Sequence, residues 1–131
     1  MDPIITHKQE RELDARIAEK VMQEKVVWAD NKPFVAHSHD NTLRSENAVP
    51  PYCSSVGAAM TVAMQLRRLG FIIHIIMDER GTTLTVMNKE GVEIAHFDNI
   101  ISHFAQVMCH AALIAVGEER RRGEDRRSAK R

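Results

Sequence analysis

This chain of 131 residues has few cysteines and few aromatic residues, and it carries no formal net charge. It has two cysteines, its aromatic residues amount to 5%, and 18 basic side chains balance 18 acidic ones. Two cysteines outside any CxxC spacing exclude a disulfide framework and a cysteine-rich zinc site. A formal net charge of zero argues against a protein that coats duplex nucleic acid or binds an anionic membrane through its overall charge.

Long apolar runs are absent as well. No stretch approaches the roughly 18 consecutive apolar residues of a membrane span, and the opening sequence MDPIITHKQERELDARI lacks the apolar segment of a secretion signal. We therefore expect a protein of the reducing cytosol without a membrane partner. A hydrophobic content of 44% and a charged content of 27% are typical of a folded protein. The length fits one domain with a real core.

Charge is distributed unevenly along the chain. Residues 118–131 carry seven basic and four acidic groups, whereas residues 1–117 carry 11 basic and 14 acidic groups. The last 14 residues contain no large apolar side chain and cannot contribute to a core. We therefore predict one domain over residues 1–117, followed by a basic tail over 118–131 that is either flexible or the end of the last helix.

The hydrophobic pattern predicts an α+β fold. The predicted elements are a helix over 8–25, a hairpin or bent strand over 26–35, a loop over 37–51, a helix from the Ser54–Ser55 cap to Gly70, strands over 71–77, 82–87 and 92–97, and a helix from Ser102 to Gly117. This order, α–β–α–β–β–β–α, predicts an α–β–α layered fold with an antiparallel sheet. Because the run 71–77 is apolar on both faces, we expect it to be a central strand covered by helices on both sides.

Three separated segments together resemble one known family. They are the run ELDARIAEKVM at 12–22, the run PYCSSVGAAM at 51–60, and the run MCHAALIAVG at 108–117. In this order they resemble the opening helix, the second helix start and the closing helix of the phage ABA sandwich domain family. The sequence departs from the family where an aspartate is replaced by Ser55, where a proline is replaced near Ala105, and in the added basic tail.

The resemblance implies a phage-encoded protein that acts in the cytoplasm of a bacterial host. Some proteins similar to this family are anti-defence sponges that oppose Thoeris immunity: they capture glycocyclic ADP-ribose without cleaving it, and related sponges take up cyclic oligonucleotides. The resemblance therefore implies a non-enzymatic sponge that assembles as a dimer or hexamer. The expected partners are a cyclic ADP-ribose isomer or cyclic oligonucleotide, with no cofactor, membrane or duplex nucleic acid.

Residue types that carry catalysis or hold metals do not form a motif in this sequence. There is no GxSxG, Walker, GxGxxG or HExxH pattern. His37, His39 and Asp40 lie close together in sequence, but a metal site needs three or four convergent ligands, while His103 and His110 are about 10 Å apart along one predicted helix. We expect no metal, no catalytic residue and no enzyme.

An anion site is the better supported prediction. The start of the second helix is expected to present backbone N–H groups from Ser54 to Gly57, and Ser55 in place of the family's aspartate removes a negative charge there. Tyr52, or alternatively Trp28, Phe97 or His96, is expected to stack on a base. The candidates for gripping a pyrophosphate are Arg67, Arg68, Arg80 and Arg120.

A second function is compatible with the same sequence. A phage inhibitor of the anti-CRISPR kind would bind a defence complex through protein contacts made by the 37–51 loop or the basic tail. Such a protein would not bind small nucleotides.

Overall fold

The chain folds into three helices and two antiparallel sheets. The computed structural model describes residues 6–36 and 48–129, with side chains of the last helix described as far as Gly117. The elements are α1 His7–Lys20, β1 Val26–Ala29, β2 Lys32–Val35, α2 Val56–Arg68, β3 Ile72–Asp78, β4 Gly81–Met87, β5 Glu93–Ile100 and α3 Phe104–Ala129. The order α–β–β–α–β–β–β–α confirms the predicted α+β class.

Helix α1 begins in a capping box. The Thr6 hydroxyl accepts a hydrogen bond from the Gln9 backbone N–H, and the Gln9 side chain accepts one from the Thr6 N–H. Leu13, Ile17 and Val21 are buried, as the helical spacing predicts. The helix ends at Lys20 rather than at the predicted residue 25, and Gln23 has a left-handed φ of 59° that a helix cannot contain.

The segment after α1 is a hairpin, which settles the choice between a hairpin and a bent strand. Strands β1 and β2 pair antiparallel, with Trp28 opposite Pro33. Asp30 and Asn31 both have positive φ, at 51° and 62°. Asp and Asn tolerate this left-handed conformation, which the tightest hairpin turns require at both central positions.

Helix α2 begins and ends close to where its sequence predicts. Ser55 is the N-cap, and its hydroxyl accepts a hydrogen bond from the Ala58 N–H at 3.3 Å. Ala59, Val62 and Leu66 form its fully buried face. Gly70, with a φ of 100°, ends the helix in a conformation that favours glycine.

The meander β3–β4–β5 confirms the three predicted strands and corrects the position of the first. The sheet order is β3-β4-β5, so β3 is an edge strand and not a central one. Ile73 and Ile75 pack against the core, but Ile72, His74 and Ile76 on the opposite face are exposed. The apolar run indicated burial on two sides, whereas the described part of the protein covers one side.

Among the described residues, helix α3 contributes more buried apolar side chains than any other element, and it continues past Gly117 into the basic tail. Its Met108, Cys109, Ala111, Ala112 and Ala115 are fully buried, and it contacts α1, α2, β4 and β5. It begins at Phe104, one residue later than a Ser102 cap requires, after His103 in a left-handed conformation (φ 62°). It also continues beyond Gly117 to Ala129. The arginine, glutamate and alanine residues that follow Gly117 are good helix formers, which explains this extension.

No helix in residues 6–36 and 48–129 is long and apolar enough to cross a membrane.

Replacing Gly81 by alanine is expected to destabilise the meander. Gly81 has a φ of 136°, and a Cβ placed there would lie 3.0 Å from the carbonyl oxygen of Ile100. We expect Gly81→Ala to lower the free energy of unfolding by about 1–3 kcal/mol. The matched control is Gly117→Ala, because nothing lies within 4 Å of a Cβ at this helical position, and it should raise stability by about 0.5–1 kcal/mol. Urea unfolding of both variants measures the two effects, and an unchanged Gly81→Ala midpoint would contradict the expectation.

Candidate functional site

A buried carboxylate joins α1 to the segment that leads into α2. The Asp14 side chain is 1% exposed. Its Oδ1 accepts a hydrogen bond from the Cys53 N–H at 2.9 Å, and its Oδ2 accepts one from Arg11 at 2.9 Å. Arg11 also donates to the Val49 carbonyl at 2.9 Å. These bonds fix residues 49–53 against the first helix and thereby set the position of the α2 start.

Burial governs the ionisation of the groups in this part of the core. Desolvation raises the pKa of Asp14 above its ordinary value, although the Cys53 hydrogen bonds and Arg11 oppose that shift. Desolvation also raises the pKa of Tyr52 to about 12. The pKa of the Cys53 thiol and that of the Cys109 thiol are likewise raised by burial, and the Cys53 thiol donates to the Glu10 carbonyl. Both thiols are therefore held in the protonated, unreactive form.

A wide hollow lies between the start of α1 and the β1–β2 hairpin. We call it the hairpin groove; its volume is about 1110 Å³. The described residues that line it are His7, Lys8, Arg11, Glu12, Trp28, Asp30, Asn31, Lys32, Pro33, Phe34 and Ala48. Two other hollows, of about 350 Å³ and about 310 Å³, are roughly a third of that size. Ligand pockets in proteins commonly span about 300–1,000 Å³, so the hairpin groove has room for a dinucleotide-sized guest.

An exposed aromatic ring is the main chemical feature of the hairpin groove. Trp28, the single tryptophan of the chain, is 47% exposed. Its cross-strand neighbour Pro33 is fully buried, and Phe34, which also lines the groove, is half-buried. The groove thus contains one aromatic ring that is substantially exposed.

Charged groups of both signs also line the hairpin groove. Lys8 and Lys32 are exposed and supply ammonium groups, whereas Arg11 is already engaged by Asp14 and Val49. Glu12 and Asp30 carry the opposing charge. The two lysines project from different elements, one from the first turn of α1 and one from β2. Cations at a helix N-terminus add to the positive end of its dipole and make this end attractive to anions.

The predicted residues at the start of α2 lie together, but the chain occupies part of that site itself. The N–H groups of Ser54 and Ser55 donate to the Pro51 carbonyl at 3.2 Å and 3.0 Å, so they are not unpaired as the sequence suggested. Tyr52 is 4% exposed and belongs to the core, where it offers no open face for stacking. Gly57 is exposed in the first turn of α2. The turn at Pro51, which the helical pattern does not reveal, accounts for the difference.

The remaining predicted residues are not gathered around that helix start. Arg67 and Arg68 are exposed in the last turn of α2, which places them about 15 Å along the helix from Gly57. Phe97 lies on β5, half-buried against the core, and lines the hollow of about 310 Å³. Arg120 lies in the extension of α3, and its side chain is outside the described residues. The structure therefore does not assemble these eight residues into one pocket.

The histidines are dispersed over the fold. His96 contacts the Thr85 hydroxyl at 2.9 Å and lies 3.8 Å from Glu93, while His7 lies 3.7 Å from Glu10. His37, His39 and Asp40 are outside the described residues. Among the residues that are described, no three His, Cys, Asp or Glu side chains converge in a way that holds a metal ion.

Sequence reasoning identifies Trp28 only as one of several possible stacking residues and misses the two lysines that line the same groove. The tight Asp30–Asn31 turn next to a lone tryptophan was the available signal, since it places Trp28 and Lys32 on one short hairpin. Lys8 carried no such signal, because its proximity depends on how α1 packs on β1 and β2.

Comparison with known proteins gives a likeness in fold. No protein-family model matches the chain, and no curated protein matches it. Among solved structures, it is similar to a phage protein from Bacillus cereus ATCC 14579, determined as a 2.0 Å crystal structure. The TM-score is 0.59 at 15% sequence identity, and the match covers 89% of this chain and 94% of that chain. At this identity the likeness establishes a shared fold over most of both chains.

Proposed function

We propose that this is a non-enzymatic phage anti-defence protein that sequesters a cyclic nucleotide immune signal in the hairpin groove. The ligand class is a cyclic ADP-ribose isomer, with glycocyclic ADP-ribose of Thoeris immunity as the first choice, or a cyclic oligonucleotide. Membership of the phage ABA sandwich domain family, phage origin and action in the host cytoplasm are part of this proposal. The three-segment resemblance and the fold shared with a phage protein support it.

The observation that carries the proposal is the exposed Trp28 in a groove of about 1110 Å³ that Lys8 and Lys32 also line. A cyclic ADP-ribose isomer has a purine and a pyrophosphate, and it therefore needs a stacking surface and cations a few ångströms away from it. Stacking of one base on an aromatic side chain contributes about 1–3 kcal/mol. We propose that Lys8 and Lys32, which line the same groove, bind the phosphates.

Binding without chemistry fits the composition of the groove. Its described lining contains no serine, threonine or cysteine that a neighbouring base would activate as a nucleophile. The two thiols of the chain are buried elsewhere. We propose that captured ligand is held and released unchanged, which is what lowers the free concentration of a signal without consuming it.

Calorimetry tests this proposal, with glycocyclic ADP-ribose, other cyclic ADP-ribose isomers and cyclic di- and trinucleotides as probes. We expect saturable heat with at least one probe at micromolar protein, and recovery of the intact nucleotide after the complex is denatured. Altered nucleotide would show an enzyme instead. Absence of heat with every probe would refute the sponge and favour the protein-binding inhibitor.

A further inference from the structure

The outer edge of β3 has none of the features that keep an exposed strand from pairing. Within residues 6–36 and 48–129, β3 pairs with β4 alone. Its sequence is IIHIIMD, seven residues without a proline, lysine, arginine or bulge against its neighbour. Soluble proteins usually protect long edge strands with such residues, because unpaired N–H and C=O groups bind other strands.

Apolar side chains lie exposed on both sides of this edge. Ile72 and Ile76 are 38% and 58% exposed on the outer face of the sheet. Val56, Met60 and Met64 form an exposed stripe on α2, the helix that contacts β3. Gln65 lies on the side of α2 that faces the end of α1, because its side chain donates a hydrogen bond to the Val21 carbonyl. The stripe lies on the other side of the helix. We call the β3 edge and this stripe together the β3 margin.

The sequence of the β3 margin is complementary to its own copy. Residues 72–76 read IIHII, a palindrome about His74. An antiparallel copy related by a twofold axis at His74 would set Ile72 against Ile76 and Ile73 against Ile75. The α2 stripe has the same property, since its four-residue spacing is symmetric about Met60.

The hydrogen-bonding direction and the charges agree with this register. The turn Glu79–Arg80 closes on the pair Asp78–Gly81, so even-numbered residues of β3 bond toward β4 and Ile73, Ile75 and Met77 direct their backbone groups to the free edge. The same register places the acidic Asp78 of one copy opposite Gly70 of the other, two residues from the basic Arg68 at the end of α2. The register thus sets Asp78 near the end of α2 that carries Arg67 and Arg68.

We infer that the β3 margin is the interface with a second copy of this chain, in which two β3 strands pair antiparallel about His74 to form a continuous six-stranded sheet. The two α2 stripes then pack against each other on the face that carries the helices. A twofold contact of this kind uses the same surface on both partners. This interface is separate from the hairpin groove, and its test contains no nucleotide. One proposal can therefore fail while the other holds.

Cysteine cross-linking with sedimentation tests the register. In the inferred pair the two copies of residue 74 have Cβ atoms about 4.5–5.5 Å apart, so His74→Cys should form a disulfide-linked dimer on oxidation. The matched control is Thr85→Cys on the same outer face one strand further in, where the two copies are about 14 Å apart and cannot be bridged. The native Cys53 and Cys109 are buried and should not interfere.

Charge placed at the edge tests the contact itself. The double variant I72K/I76K sets lysines against each other across the inferred pair, at exposed positions where the monomer fold tolerates them. By analytical ultracentrifugation we expect the wild type to be a dimer or an even-numbered multiple of it, and I72K/I76K to dissociate at least tenfold more readily. A monomeric wild type, a dimer that survives I72K/I76K, or a dimer in which H74C does not cross-link would each overturn the inference.

Discussion

Replacing Asp14 by alanine is expected to lower the free energy of unfolding by about 3 kcal/mol, the scale observed when one partner of a buried, hydrogen-bonded ion pair is removed. The substitution leaves the buried Cys53 N–H without its acceptor and Arg11 without its carboxylate partner. It also frees residues 49–53 from α1. Urea unfolding followed by circular dichroism measures the loss, and a change within the range of an ordinary surface substitution would contradict the structural role of Asp14.

Asp14→Asn separates the hydrogen bonds from the charge. The asparagine side chain keeps an oxygen for the Cys53 N–H, so this variant should lose less stability than Asp14→Ala. Because burial raises the pKa of Asp14, the part of its contribution that depends on protonation is fully present below the ordinary value of 3.8 and is lost as the pH rises through the raised pKa. The difference in stability between wild type and Asp14→Asn should therefore shift in favour of the wild type as the pH falls toward 3.8.

Replacing Trp28 by alanine is expected to weaken nucleotide binding by about 5- to 150-fold, which corresponds to the loss of one base–aromatic stack worth 1–3 kcal/mol. The half-exposed indole contributes little to the core, so the fold should be retained. Calorimetry with the best-binding cyclic nucleotide measures the change in dissociation constant.

Two variants serve as controls for the Trp28 result. Trp28→Phe keeps an aromatic face and should retain most of the affinity. Val92→Ala removes an equally exposed apolar side chain, 47% exposed like Trp28, at the turn before β5 and away from the groove lining. It should leave binding unchanged. Equal losses in Val92→Ala and Trp28→Ala would show that general destabilisation, not stacking, explains the effect.

Local signals in the sequence predicted much of the fold. The Ser55 cap and Gly70 delimited α2, and the glycine-containing turns separated β3, β4 and β5. The position of β3 in the sheet could not be predicted, because it depends on packing. An apolar run is equally compatible with a central strand and with an edge strand whose outer face is exposed. The sequence leaves open whether the residues after Gly117 are flexible or continue the last helix, and α3 continues to Ala129 because a single glycine costs only about 1 kcal/mol inside a helix.

The candidate site was harder to predict for the same reason. The hairpin groove joins residues 7–12, residues 28–34 and Ala48, which are distant in sequence and meet only when α1 packs on the hairpin. The amides at Ser54 and Ser55 looked available because capping rules describe the helix alone, whereas the turn at Pro51 occupies them. Residue types suggested stacking and phosphate binding, and tertiary contacts decided which residues lie side by side.

Fluorescence of Trp28 during a nucleotide titration reports occupancy of the hairpin groove without any label, because the chain has one tryptophan. We expect glycocyclic ADP-ribose or a cyclic oligonucleotide to quench its emission to saturation, and the same nucleotide to be released with its mass unchanged on denaturation. If the emission stays constant while all of these nucleotides are added in excess, none of them binds beside the indole. That result would contradict capture in this groove.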